Sequence, residues 1–204
     1  SSMQCPTISR ADRSTSVSPS ISKDMSKAQF KKELAGLEKE QLVEMMVDLY
    51  SRRKDFKEYF EFFLNPDVKK LTAKYHDLIS KELERVKRGA RSKARISVIK
   101  TLIKDFASFQ PGFESEIDMG LFVMVYALSV EKRIWFTPTL EKGIAKILCD
   151  TVELADCNNV TAETLKRVAA ILDGDAHGSR YFRTFLKDTL SGYLAASASK
   201  IGKG

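Results

Sequence analysis

Basic side chains concentrate in one short segment, and this segment is the part of the sequence best suited to binding chemistry. Residues 81–95 contain seven lysines or arginines against two acidic residues, Glu82 and Glu84. Such side chains neutralise phosphate groups, so the segment supplies the residue types that contact with a nucleic-acid backbone needs. No aromatic residue is interleaved, and no helix-turn-helix or zinc signature is present. The alternative is a solvated loop that links two helices. The residues predicted to bind nucleic acid are Lys87, Arg88, Arg91, Lys93 and Arg95.

A second group of chemically capable side chains is the run Asp173-Gly174-Asp175-Ala176-His177. Carboxylate oxygens and an imidazole are ligands that a divalent metal ion accepts. No second cluster completes a coordination shell, and Gly174 by itself explains why a helix ends here. We therefore predict no metal and no cofactor. Asp173, Asp175 and His177 are the candidates if the protein is instead a metal-dependent enzyme.

Residues suited to catalysis are few. His76 has Ser80 one helical turn away, but no strained turn that would position a nucleophile. Motifs for phosphate-binding loops, dinucleotide sites and zinc proteases are not found. The sequence thus predicts no catalytic residues and favours a non-enzymatic protein. The dipeptide Trp135-Phe136 follows two cations and could stack bases, but we expect it to fill a helix junction.

The composition is that of a basic protein with enough apolar residues for a core. Its 204 residues carry a formal net charge of +7, and 43% are hydrophobic. Residues 25–110 contain 20 Lys or Arg against 13 Asp or Glu, whereas residues 111–204 contain 11 against 12. This asymmetry could attract an anionic partner, and the alternative, which the sequence favours, is a solvated lysine-rich helical surface. Three cysteines without a paired spacing indicate a reducing compartment, and the apolar run 120–130 is too short for a membrane span. We therefore predict a cytoplasmic location and no membrane contact.

Apolar residues recur at helical spacing along most of the chain, as in the stripe Leu42, Met45, Met46, Leu49 and Tyr50. Residues 114–133 are predicted to form the most buried helix. Short helices and short turns predict an all-α fold of antiparallel helical hairpins, arranged as a compact bundle or a short α-solenoid-like stack. Residues 1–24 are rich in serine and are predicted to be a disordered N-terminal extension, which is left out of the fold. The predicted single helical domain covers 25–195, and 196–204 form a flexible tail.

The run Tyr59-Phe-Glu-Phe-Phe-Leu-Asn-Pro-Asp67 predicts a corner between two helices. Asn65 is expected to cap the second helix, with Pro66 at its first position and Asp67 in its first turn. The four aromatic residues before Asn65 predict that the corner is tied into the core. We therefore expect Phe60 and Phe63 to be buried.

The same corner carries a family resemblance. Leu49-Tyr50, Tyr59-Phe60 and Phe63-Leu-Asn-Pro-Asp67, followed by Leu71 and Lys74-Tyr75, resemble the N-terminal signature of a bacterial family catalogued as domain of unknown function 6155. The likeness covers about residues 26–160. It implies a bacterial, cytoplasmic helical protein and supplies no catalytic residues.

Three function hypotheses follow. The first is a non-enzymatic cytoplasmic protein that binds an unknown protein partner through a helical face. The second is a nucleic-acid-associated protein that binds the phosphate backbone through residues 81–95. The third is the metal-dependent enzyme near residues 173–177. The sequence leaves the partner and the oligomeric state open.

Overall fold

The computed structural model describes residues 25–174 and 178–201, which form nine helices and no strand. This confirms the all-α prediction. The helices are α1 (Lys27–Ala35), α2 (Lys39–Arg52), α3 (Lys54–Leu64), α4 (Val68–Leu83), α5 (Ile96–Ser108), α6 (Phe113–Glu131), α7 (Pro138–Cys157), α8 (Thr161–Asp173) and α9 (Arg180–Ile201).

The chain divides into two compact units, and the boundary lies between Phe56 and Lys57. In the first unit, helices α1 and α2 contain no buried residue. The predicted apolar stripe of α2 is therefore largely exposed, as at Met46 and at the neighbouring Val47. The prediction of one domain over residues 25–195 stays a prediction.

The second unit contains the hydrophobic core and is built around α6 and α7. Helix α6 packs against α4, α5, α7 and α8, and α7 packs against α5, α8 and α9 as well. A central helix with four neighbours is what a compact bundle requires, since a solenoid repeat contacts only its sequence neighbours. Helix α6 buries residues around most of its circumference, as predicted for the most buried helix. No helix in the described part of the chain is long and apolar enough to cross a membrane.

Close approach between α6 and α7 depends on a glycine. A Cβ atom at Gly120 would overlap the side chain of Thr151 on α7. The Thr151 hydroxyl donates to the Ile147 carbonyl (2.8 Å), so this buried polar group is satisfied within its own helix. Gly120, the smallest residue on α6, therefore faces a threonine on α7 whose hydroxyl is already hydrogen-bonded within its own helix. The two backbones can thus pack closely.

The corner between α3 and α4 differs from the sequence prediction. Asp67, not Asn65, is the N-cap of α4, and its carboxylate accepts from the Lys70 N–H (2.9 Å). Helix α4 starts at Val68, so Pro66 precedes the cap instead of following it. The ring of Phe63 is 66% exposed, and Phe62 makes the core contact by packing edge-on against Phe109 at 5.5 Å. The expectation that Phe63 is buried is wrong because the inward face of α3 lies one residue earlier.

Candidate nucleic-acid interface

The predicted basic segment folds into a small hairpin. The Lys87 N–H donates to the Arg91 carbonyl (2.7 Å), and the Lys93 N–H donates to the Arg85 carbonyl (2.7 Å). The turn between them includes Gly89 and Ala90, whose φ angles of 80° and 55° lie in the left-handed region. A left-handed backbone suits glycine and lets the chain reverse direction at the tip of the hairpin. We call residues 85–93 the basic hairpin.

The segment after α6 attaches to one edge of the basic hairpin. The Trp135 N–H donates to the Ala90 carbonyl (2.8 Å), and the Trp135 carbonyl accepts from the Ser92 N–H (2.9 Å). Residues far apart in the sequence are thereby joined through two backbone hydrogen bonds. The Ser92 side chain is also used, because its hydroxyl oxygen accepts from the Ala94 N–H (3.1 Å). The hairpin is thus attached by backbone hydrogen bonds to the segment that follows α6.

A buried carboxylate holds the base of the hairpin. Glu82, at the end of α4, is 7% exposed and accepts two bonds from the Arg85 guanidinium (3.0 and 3.2 Å). It also accepts from the Arg95 backbone N–H (2.8 Å) and from Arg95 Nε and Nη2 (3.1 and 3.2 Å). Burial alone would raise the pKa of Glu82, but the bonds from Arg95 and Arg85 outweigh it and leave this pKa below its ordinary value.

The second acidic residue of the segment is also engaged. Glu84 accepts from the Tyr126 hydroxyl (2.7 Å) and lies 3.4 Å from Nη2 of Arg133. Both acids of residues 81–95 are therefore matched by arginines at or beside the base of the hairpin. Among the described ion pairs, neither carboxylate pairs with Lys87, Arg88, Arg91 or Lys93.

Four cations of the hairpin remain exposed. Within the described residues, none of them forms an ion pair. Arg95 differs, because its guanidinium is engaged by Glu82. The geometry thus divides the five predicted nucleic-acid residues into four available cations and one anchoring arginine, and their role stays a prediction. The four available cations are Lys87, Arg88, Arg91 and Lys93.

Trp135 presents its indole ring to solvent beside these cations. The residue is 76% exposed, whereas Ile134 before it is 7% exposed and Phe136 after it packs edge-on against Phe182 at 5.8 Å. The expectation that Trp135 fills a helix junction is wrong, since Ile134 and Phe136 provide the buried contacts. The extended backbone that bonds to the hairpin turns successive side chains to opposite sides, and Trp135 is the one turned outward.

The other candidate site residues lie elsewhere. Asp173, at the end of α8, pairs with Lys187 of α9 at 2.6 Å. Asp175 and His177 fall outside the described residues. His76 stacks on Phe122 with ring centroids 3.6 Å apart, and burial lowers its pKa while Asp118 acts in the opposite direction. In the parts of the chain that the structure describes, no three His, Cys, Asp or Glu residues are grouped as a metal site would require.

The chain matches the model of a family of unknown function (DUF6155) over residues 25–181. The chain belongs to this family. The match includes the basic hairpin and Trp135 and ends within α9. It confirms the predicted family, while the signature at the α3–α4 corner and the bacterial origin stay predictions. No curated protein and no solved structure matches the chain.

Sequence reasoning located the cations and named Trp135 as a residue that could stack bases, but it placed the indole in a helix junction and did not connect it with the basic segment. The four available cations are visible in the sequence as a basic run. The partner of that run, Trp135, follows a different helix, and only the backbone bonds to Ala90 and Ser92 place it there. A usable signal was present, because a tryptophan after two cations and outside any apolar stripe has no obvious place in a core.

Proposed function

We propose that this protein binds nucleic acid by docking the phosphate backbone on the basic hairpin. The observation that carries the proposal is the set of four exposed cations on a hairpin that Glu82 and Trp135 hold in place. Nearby carboxylates would otherwise compete with phosphate for these cations. Because Glu82 and Glu84 are already matched by other arginines, the hairpin keeps a local positive charge that an anionic polymer can neutralise.

Contacts of this kind supply affinity without sequence preference. Binding that rests on phosphate contacts typically has a dissociation constant of about 10⁻⁶–10⁻⁴ M at physiological salt. The affinity falls steeply as the salt concentration rises. The cytoplasmic location favoured by the cysteine content is part of this proposal. The protein partner that the sequence analysis placed first stays a prediction, since nothing identifies what would cover the exposed face of α2.

The test removes the available cations and leaves the anchor intact. A variant with all four changed to alanine should lose most of its binding to mixed DNA or RNA in fluorescence anisotropy at low salt. Four phosphate contacts correspond to a slope of log affinity against log salt of about 3–4 in magnitude, which the variant should largely lose. Arg95 is kept, because removing it would expose the buried charge of Glu82. The changes are Lys87→Ala, Arg88→Ala, Arg91→Ala and Lys93→Ala.

A matched control removes the same charge elsewhere. Four lysines in or next to α1 and α2 are exposed, and changing them alters the net charge by the same amount as the hairpin variant. The control should retain nearly full affinity. Equal losses in both variants would show that only net charge matters, and unchanged binding in the hairpin variant would refute the proposed interface. The control residues are Lys27, Lys31, Lys32 and Lys39.

A further inference from the structure

The exposed ring of Trp135 calls for an explanation that phosphate contacts do not give. The hydrogen bonds that attach residue 135 to the hairpin come from its backbone, which any non-proline residue could provide. Solvent nevertheless reaches 76% of this large apolar residue. Tryptophan and arginine are the residue types that interfaces enrich, and here both lie on one small surface.

Resting on the proposed function, we infer that the nucleic acid is single-stranded and that one of its bases stacks on the indole of Trp135. The faces of bases are covered by their neighbours in a duplex, whereas a single strand can turn a base outward onto an aromatic ring. A charged groove that follows the backbone, with an aromatic platform beside it, is the usual construction of single-strand binding surfaces.

The neighbouring residues suit this arrangement. Trp135 bonds to Ala90 and Ser92, so Arg91 lies between its two attachment points on the hairpin. Phosphates bound by the hairpin cations would therefore pass close to the indole. An anionic membrane is the competing ligand class, but within residues 85–95 only Val86 adds a large exposed apolar side chain. A membrane-bound surface needs a broader apolar face than one indole and one valine.

Trp135 is the sole tryptophan of the sequence, so intrinsic fluorescence reports on this site alone. Single-stranded oligo-dT or oligo-U should quench the emission of the full chain, while a duplex of equal charge should bind with little change in emission. Quenching by oligo-dT or by oligo-U supports the inference. The relative affinities of these two oligonucleotides identify DNA or RNA as the ligand. A duplex that quenches equally well would overturn it. So would anionic phospholipid vesicles that shift the emission when no oligonucleotide does.

Substitutions separate stacking from charge. Trp135→Ala should weaken single-strand binding about tenfold or more and leave duplex binding unchanged, whereas Trp135→Phe should keep much of the affinity. Phe63→Ala, which removes another exposed ring away from the hairpin, is the matched control and should have no effect. If the four-cation variant loses binding and Trp135→Ala does not, the stacking inference fails and the proposed function stands. If no nucleic acid binds the unaltered chain, both fail.

Discussion

Glu82 shows how one buried carboxylate can organise a surface made of cations. Its two oxygens accept bonds from Arg85, the first residue of the basic hairpin, and from Arg95, which follows the hairpin. An unpaired charge at this depth would be costly, so the two arginines are required by the fold before they can serve any ligand. Arg95 therefore has a structural role in pairing with Glu82, whereas Arg91 is available to a ligand.

Glu82→Gln should destabilise the protein by about 1–3 kcal/mol at neutral pH, because the amide keeps the shape but loses the charge-assisted bonds. Urea unfolding would measure this. Asp77→Asn is the control on the same helix, since its exposed pair with Lys81 should be worth about 0.5 kcal/mol or less.

The effect of Glu82 should also depend on pH in a defined direction. The pKa of Glu82 is lowered in the folded state. Its contribution to the free energy of unfolding is therefore fully present above the unfolded-state pKa of about 4.3, and it is lost as the pH falls through the folded-state pKa. The stability difference between the unaltered protein and Glu82→Gln should therefore shrink in acid. A difference that stays constant down to acidic pH would contradict the role assigned to this carboxylate.

At the scale of elements, helix positions follow from local sequence, and contacts between elements do not. Thr137 and Pro138 open α7, with the Thr137 hydroxyl accepting from the Leu140 N–H (3.3 Å), because capping chemistry lies within a few residues. The sequence predicts Asn65 as the cap of α4, whereas the structure has Asp67. Asn and Asp are equally good caps, so the backbone conformation of the folded chain decides which of them caps the helix. The attachment of Trp135 to the hairpin depends on how α4, α5 and α6 pack, which periodicity does not specify.

The contact between α6 and α7 provides a test at this scale. Gly120→Ala should destabilise the protein by about 1–3 kcal/mol, since its methyl group has to displace the buried side chain of Thr151. Gly192→Ala is the matched control, because among the described residues no atom beyond the adjoining residues and the nearby backbone of α9 lies within 4 Å of the position its Cβ would take. That change should be neutral or stabilise by up to about 1 kcal/mol, as alanine favours a helix. Equal midpoints for both variants in thermal unfolding would show that the two helices are less closely packed than described.

At the scale of the whole molecule, the core and the candidate interface belong to the same compact unit. Among the described residues, the buried hydrophobic core begins at Leu71, and α1 and α2 contribute none of it. The basic hairpin and Trp135 likewise lie after the boundary at Phe56 and Lys57. The sequence pattern predicted helices throughout but could not show this division, because the apolar stripe of α2 is as regular as those of the core helices.

A fragment of residues 54–204 should therefore fold and bind nucleic acid without the helices that precede it. It keeps all of α3, including the Phe62 ring that packs on Phe109, and all core residues that the structure describes. We expect a helical circular dichroism spectrum, cooperative thermal unfolding, and single-strand affinity and Trp135 quenching equal to those of the full chain. The four-cation variant of the same fragment is the control and should lose binding but not helicity. If the fragment instead loses its cooperative transition, residues 25–195 act as one folding domain, as the sequence alone predicted. If it folds but no longer binds, α1 and α2 contribute to the interface, and the basic hairpin is not sufficient.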